Sequence, residues 1–597
     1  MRAKRWVLAS AAAMIAAGAF AQDSLLPPGF DQPPPAPAPA PQPTPAPRPA
    51  PPPVATPTTP GEAVGDRLGE VSDDEELEDP LSPLDETEDD GAEDDGAELR
   101  PVRMTTTAAS FGDRPWGASR QQFLVTLMRR LDTPLALRWG HIGLRNALMA
   151  SGEGPEGLSS SDWVAERAWL LLRMGEADAA RLLVASVPKS RWSERLTQVA
   201  LQSALASSDL AAMCPLPSAL DDVEASAEPL VAAICAALSG QPEIASDAIN
   251  RERRRGRVGG IDLALAEKLV GAGSATARAV TLEWEPVTRL NSWRYGLASA
   301  TGVSLPDRLL EEASPQVVAW HARAPLLSAQ QRIPSARVAT GMGVFSGQAM
   351  TDLYAQFYDR EDADTVSGSE ALTLRRAFVA ADLDDRLEAM RTILAVEPGD
   401  PVQRRASRAV IGRAAARLVP SSALDEDAPE LVAAMFAVGL DESAARWVPV
   451  LADIAERDAD PAWAQLALGI PDPSSIDVTR DRIDDFMDRD DSADKWRSKL
   501  LMAGLGGLGR MSPEVTASFD EMLDIGLTRD TRLTRELMRA ARRGEAGTVM
   551  LLSSVAMQGQ SARGMSPVHL YHVVRALRAT GHDYLARMIA AEALAPA

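Results

Sequence analysis

The sequence lacks features on which several common protein classes depend. After residue 21 no apolar stretch reaches the roughly 20 residues that a membrane-spanning helix needs, which excludes a polytopic membrane protein. Aromatic residues make up 5% of the chain and alternating apolar and polar runs are scarce, so an extensive β-sheet is not expected. The GxSxG, HExxH and P-loop motifs are absent, which excludes the enzyme classes that they mark.

The first 21 residues have the pattern of a cleavable secretion signal. Basic residues precede an apolar run over 6–20, and a small-x-small cleavage site follows, formed by Ala19, Ala21 and Gln22. We therefore expect a periplasmic or secreted protein that has no membrane span after cleavage; the alternative is a signal retained as an anchor. No cysteine follows the site, which argues against a lipid anchor.

Two segments of biased composition come next. Residues 22–61 are proline-rich, with 17 prolines over 27–60, and predict an extended disordered spacer. Residues 62–110 are acidic: positions 62–98 hold 18 Asp or Glu and one Arg, a local charge of −17 in a chain of −23. This segment is expected to be disordered, and it acts either as a solubilising brush or as a site for divalent cations or a basic partner. Its charge makes nucleic acid an unfavourable partner.

From Phe111 onward the pattern is helical. Apolar residues recur at three- and four-residue spacing, as over 163–187 and 573–594. Helix starts are predicted where a capping side chain precedes a proline, at Pro134, Pro315, Pro401, Pro461, Pro513 and Pro567.

The length of this helical part exceeds what one compact core usually holds. We expect stacked helices in two parts, 111–340 and 341–597. Glycines and prolines predict non-helical joints over 333–347 and 470–477.

Four turn glycines each precede a small residue by five positions: Gly175 and Ala180, Gly240 and Ala245, Gly439 and Ala444, Gly581 and Ala586. Glycine adopts the left-handed cap that ends a helix, and alanine lets the next helix approach closely. The spacing resembles the centre of a degenerate tetratricopeptide-like (TPR or Sel1-like) repeat, although the copies do not recur at the family's period of about 34 residues. The resemblance implies an all-α fold, an α-solenoid of stacked helical hairpins behind a long disordered N-terminal arm. The alternative is an irregular alanine-rich helical domain.

Two short motifs resemble ligand sites, but their surroundings do not support that function. The stretch 504–509 matches the glycine pattern of dinucleotide-binding folds, yet a predicted helix precedes it where a strand is required. Residues 488–494 resemble the start of a calcium loop, but Ala493 and Lys499 stand where a turn glycine and a closing glutamate are needed.

The histidines near the C-terminus are a candidate metal site. His569 and His572 lie three apart on a predicted helix, with His582 as a possible third ligand. A hairpin turn before His582 would place it far from the other two, so packed or exposed histidines are favoured and no metal or cofactor is expected. SxxK matches at 186–189 and 492–495 lack the companion KTG element and are interpreted as chance matches.

Cys214 and Cys235 are the only cysteines in the chain. An antiparallel helix pair could bring them within bonding distance, so we predict a structural disulfide, the alternative being two buried thiols.

The segments and hairpins together favour an exported, non-enzymatic helical scaffold that binds other cell-envelope proteins. One alternative is an envelope enzyme that cleaves peptidoglycan or polysaccharide with a carboxylate pair. The other is a purely structural envelope spacer.

Overall fold

The computed structural model describes most of the chain after residue 110, namely residues 111–216, 220, 227–256, 258–273, 280–396, 399–559 and 561–596. This part of the chain is all-helical, which confirms the predicted all-α fold. No helix within it has the length and apolar composition to cross a bilayer. The predicted signal, spacer and acidic segment, with the cleavage residues Ala19, Ala21 and Gln22, lie outside the described residues.

The first thirteen α-helices reach to the middle of the chain. They are α1 Gln121–Arg130, α2 Arg138–Met149, α3 Ser160–Arg173, α4 Ala177–Ala185, α5 Glu194–Ala206, α6 Glu228–Leu238, α7 Pro242–Arg255, α8 Gly260–Gly273, α9 Ser292–Ala300, α10 Asp307–Glu311, α11 Pro315–His321, α12 Ala329–Met342 and α13 Gly347–Arg360.

The remaining α-helices continue nearly to the C-terminus. They are α14 Ala363–Val366, α15 Glu370–Val379, α16 Leu383–Leu394, α17 Pro401–Ala415, α18 Ala428–Ala437, α19 Asp441–Ala445, α20 Glu456–Gly469, α21 Arg480–Arg489, α22 Trp496–Leu508, α23 Pro513–Met522, α24 Arg532–Arg542, α25 Ala546–Ala556, α26 Pro567–Ala579 and α27 Asp583–Ala593.

The four turn glycines end helices in the way their spacing predicts. Their φ angles lie between 72° and 88°, at Gly175, Gly240, Gly439 and Gly581. The residue after each glycine donates its N–H to the carbonyl five residues earlier, as Glu176 does to Leu171 at 2.9 Å. The small residues of the next helices are fully buried at Ala180, Ala245, Ala444 and Ala586.

Two of the predicted helix starts are wrong. Pro461 lies inside α20, and Pro134 precedes an extended stretch rather than a helix. In that stretch the N–H of Ala136 donates to the carbonyl of Met557 at 2.9 Å, a tertiary contact with no local signal. The other four prolines begin helices: Pro315, Pro401, Pro513 and Pro567.

The predicted joint over 333–347 is correct only at its C-terminal end, because α12 continues to Met342 and the non-helical residues are 343–346. Gly341 permits close helix packing: a Cβ there would clash with the backbone carbonyl of Val402 on α17. The boundary drawn between 340 and 341 therefore falls inside a helix. The stretch 470–477 contains only one short 3-10 turn, as expected for a joint.

Helices pack both against their neighbours in sequence and against helices that are distant in sequence. Neighbouring pairs include α3 with α4, α6 with α7, α17 with α18 and α26 with α27. In addition, α2 near the start of the described chain packs against α25 and α27 near its end, and α27 packs against α18 and α20. We call the region where α2 meets α12, α18 and α27 the α2–α27 junction.

Candidate interaction surface

Buried carboxylates in the described part of the chain are all engaged by other groups. Eight Asp or Glu side chains are buried there, and each has an ion-pair or hydrogen-bond partner: Glu166, Glu176, Glu252, Asp262, Asp441, Asp460, Asp490 and Glu545. Burial of a charge is tolerated when it is paired in this way. These contacts give the eight side chains a structural role.

A buried arginine, Arg167, and a half-buried one, Arg510, donate hydrogen bonds to carbonyls at the C-terminal ends of helices. The guanidinium of Arg167 donates to the carbonyls of Leu148 and Ala150 at 3.0 Å each, just where α2 ends. Arg510 donates at 2.5 Å to the carbonyls of Ala467 and Ile470 at the end of α20. A cation there satisfies orphan carbonyls and complements the helix dipole. Burial lowers the pKa of each guanidinium to about 10, so both stay charged at neutral pH.

At the α2–α27 junction, a carboxylate from one end of the fold caps a helix from the other. Glu592 on α27 accepts hydrogen bonds from the backbone N–H groups of Arg138 and Trp139, at 2.7 and 2.9 Å. Those groups open α2, which has no capping side chain of its own. The guanidinium of Arg138 donates in turn to the carbonyls of Thr340 and Ala437, at 2.9 and 2.6 Å. Desolvation at this junction raises the pKa of Glu592, against the opposing effect of nearby arginines.

The loop that resembled a calcium site contains its own cation. The ammonium of Lys495 donates to the carbonyls of Met487 and Asp490, at 2.7 Å each. The Asp490 carboxylate accepts from the N–H and hydroxyl of Ser498, at 2.9 and 2.6 Å. Burial opposes ionisation of Asp490, but its hydrogen bonds with Ser492 and Ser498 outweigh that effect and lower its pKa. The loop is thus closed by internal contacts.

The other candidate motifs are parts of the helical framework. Gly504 and Gly506 lie inside α22, and Gly509 ends it with φ of 66°. His572 and His582 are buried, and no group of three or more potential metal ligands occurs among the residues that the structure describes. The three candidate histidines therefore do not form a group of metal ligands in the described part of the chain.

Cys214 and Cys235 form a disulfide, with a Cα–Cα distance of 5.3 Å. It joins the turn after the 3-10 helix Leu210–Met213 to the interior of α6. This is the pairing expected from the sequence.

An open groove lies between the N-terminal ends of α3 and α5, lined by Asp162, Ser193, Glu194, Arg195 and Gln198. We call it the α3–α5 groove. Ser193 caps α5 by accepting from the N–H of Leu196 at 3.2 Å, and its hydroxyl donates to the Asp162 carboxylate at 2.6 Å. The two helix starts are thereby held side by side, and their N-terminal dipole ends favour the acidic side chains there.

An aromatic ring and a charge cluster lie beside the groove. The Arg195 guanidinium lies 5.4 Å from the centre of the Trp169 ring. Its Nε is also 3.7 Å from the Glu166 carboxylate, which accepts a hydrogen bond from Arg129 Nε at 3.0 Å. The hydrogen bond that Arg129 donates to Glu166 raises the pKa of Arg129, whereas burial lowers the pKa of Arg195. Both guanidinia are ordered by these contacts and partly exposed.

Such a surface suits recognition of another protein. Arg and Trp side chains are enriched among the residues that dominate binding energy at protein interfaces. The guanidinium of Arg195 donates to Gln198 Oε1 at 3.4 Å, so the Gln198 side chain presents its amide N–H donors to a partner. Sequence reasoning missed the groove; the serines that cap α3 and α5, Ser159 and Ser193, are the only local signal of it.

No protein-family model, curated protein or solved structure matches this chain.

Proposed function

We propose that this protein is a non-enzymatic helical scaffold that binds other proteins of the cell envelope. The α3–α5 groove carries the proposal, because its Arg195 on α5 lies against the Trp169 ring of α3 and near the Glu166 carboxylate. Arrays of helical hairpins use such surfaces to bind peptide segments. The partnered state of the eight buried carboxylates also favours a structural role over acid–base catalysis.

The envelope location is part of the same proposal. The signal-like pattern ending at Ala21 predicts export. The Cys214–Cys235 disulfide supports an oxidising compartment, since such bonds rarely persist in the cytosol.

Affinity capture from an envelope extract tests the binding role. The bait is the chain from residue 22 to 597, compared with a Gln198→Arg variant that places a long cationic side chain in the groove. Gln330→Arg is the matched control, since Gln330 is exposed on α12. We expect one set of proteins to be retained by the unmodified chain and the control, and lost with Gln198→Arg. Retention by all three would contradict binding through the groove.

A second assay separates the proposal from the enzyme and spacer alternatives. The purified chain is incubated with cell-wall material and the soluble products are analysed. We expect no muropeptides to be released; their release would contradict the non-enzymatic role. A chain that neither cleaves the wall nor retains any protein would be a structural spacer.

A further inference from the structure

A second surface, on α24, is dominated by arginine. Between positions 529 and 545 the chain has six arginines and no lysine. All six are exposed, and we call them the arginine face: Arg529, Arg532, Arg535, Arg539, Arg542 and Arg543. Positions 532, 535, 539 and 542 follow the three- and four-residue spacing of one helix side, over about 15 Å of axis.

The opposite side of α24 holds this face in place. Leu537, Ala540 and Ala541 are buried against α25 and α26. The side chain of Thr531 caps the helix start by accepting from the N–H of Thr534 at 3.1 Å. The four arginines on α24 therefore project from a rigid helix, which reduces the entropy that a partner must overcome on binding.

Nearby acidic residues neutralise only half of the six charges. Asp530 pairs with Arg535 at 3.3 Å and Glu536 with Arg539 at 2.8 Å. Arg529, Arg532 and Arg542 have no ion pair among the described residues, although the chain as a whole carries −23. A local excess of positive charge on an acidic protein marks a surface for anionic groups.

The third acidic residue, Glu545, lies 3.7 Å from Arg543 but is already engaged elsewhere. Its carboxylate accepts from the N–H of Ala118 at 3.1 Å and from the hydroxyl of Ser119 at 2.7 Å. It therefore compensates Arg543 weakly.

The chemistry of the face selects among anionic partners. Guanidinium groups bind carboxylates in a planar two-point geometry, and side chains spaced like these match carboxylates on a neighbouring peptide. No aromatic residue occurs between 529 and 545, so the stacking that holds single-stranded nucleic acid is missing. The net charge of −23 also repels nucleic acid and anionic membranes at long range.

We propose that the arginine face is a docking surface for an acidic peptide segment of a partner protein. This inference rests on the proposed scaffold function but concerns a helix that is separate from the α3–α5 groove. It names the chemical class of one partner: a segment that carries several Asp or Glu residues.

Binding of a dye-labelled peptide of twelve glutamates, measured by fluorescence anisotropy, tests this proposal. The protein is the chain from residue 22 to 597. The variant Arg532→Gln with Arg542→Gln removes the two arginines on α24 that have no ion pair among the described residues. The control Arg251→Gln with Arg254→Gln makes the same charge change on α7, where both arginines are also exposed. We expect about a tenfold rise in the dissociation constant for the first variant and less than a twofold change for the control.

Additional measurements distinguish an acidic peptide from other possible ligands of the arginine face. Binding of the glutamate peptide is expected to weaken as salt rises from 50 to 200 mM. The Gln198→Arg variant in the groove should bind the peptide as the unmodified chain does. Peptide binding by the arginine face can therefore be observed even if the groove proposal fails. Equal weakening in the two double variants, or no binding at low salt, would overturn the proposal. So would tighter binding of a DNA duplex or of vesicles with anionic lipids. Peptide binding that appears only after deletion of residues 22–110 would mean that the chain's own acidic residues occupy the arginine face, which would also overturn the proposal.

Discussion

The Glu592 carboxylate at the α2–α27 junction is expected to make a large contribution to stability. In a Glu592→Ala variant, the N–H groups of Arg138 and Trp139 lose acceptors that lie at 2.7 and 2.9 Å. Leaving a buried N–H group without an acceptor costs about 1–3 kcal/mol. Arg138 and Arg405 also lose a neighbouring negative charge. We expect the free energy of unfolding to fall by about 3–5 kcal/mol.

Urea unfolding followed by circular dichroism measures this loss as a lower midpoint. Glu592→Gln keeps one carbonyl oxygen as an acceptor and is expected to lose about half as much. Glu388→Ala is the control, since Glu388 is exposed on α16 and should change stability by less than about 0.5 kcal/mol. A Glu592→Ala protein within about 1 kcal/mol of the unmodified chain would refute the role assigned to the junction.

Three further outcomes are expected. Burial lowers the pKa of His321 to about 4 from 6.5, so the unfolded chain binds this proton at higher pH than the folded one. The free energy of unfolding, measured by urea titration at each pH, should therefore fall by up to about 3 kcal/mol between pH 6.5 and 4. The His321→Asn variant keeps a hydrogen-bond partner for Ser335 but removes the titrating group, so its free energy of unfolding should depend less on pH. Thiol labelling of unreduced, denatured protein should find neither Cys214 nor Cys235 reactive, and reduction should destabilise the fold by about 3 kcal/mol in thermal melts; labelling of both would contradict the disulfide. Replacement of Lys495 by Met leaves two carbonyls without their charged donor and should cost about 1–3 kcal/mol in the same melts, whereas an unchanged melting temperature would show that this ammonium is dispensable.

Local features of the fold could be predicted from the sequence because their causes are local. Gly175 and Gly581 end helices through a left-handed turn that involves only six residues, and the sequence displays all of them. Pro401 and Pro513 begin helices for an equally local reason.

Errors arose where distant packing decides the outcome. Gly341 has the composition of a break, yet it lies in a helix because the backbone of α17 approaches it. Asp460 precedes a proline like a helix cap, but its carboxylate pairs instead with Arg482 at 2.6 Å and Arg489 at 2.7 Å. No single-sequence pattern reports such contacts.

The candidate surfaces were missed for a related reason. The α3–α5 groove depends on Arg195 lying over Trp169, which follows from how two helices pack side by side. The α2–α27 junction joins Glu592 to Arg138, residues from opposite ends of the described chain. Neither the groove nor the junction could be predicted from residue spacing along a single helix.

Site-specific photocrosslinking in cells tests the proposed scaffold function most directly. A photoreactive amino acid is placed at position 198 in the groove or at position 330 on α12, and the crosslinked products are separated by size. The scaffold function predicts a discrete larger product from position 198 that is absent from position 330. Only the monomer from position 198, at native abundance, would contradict it.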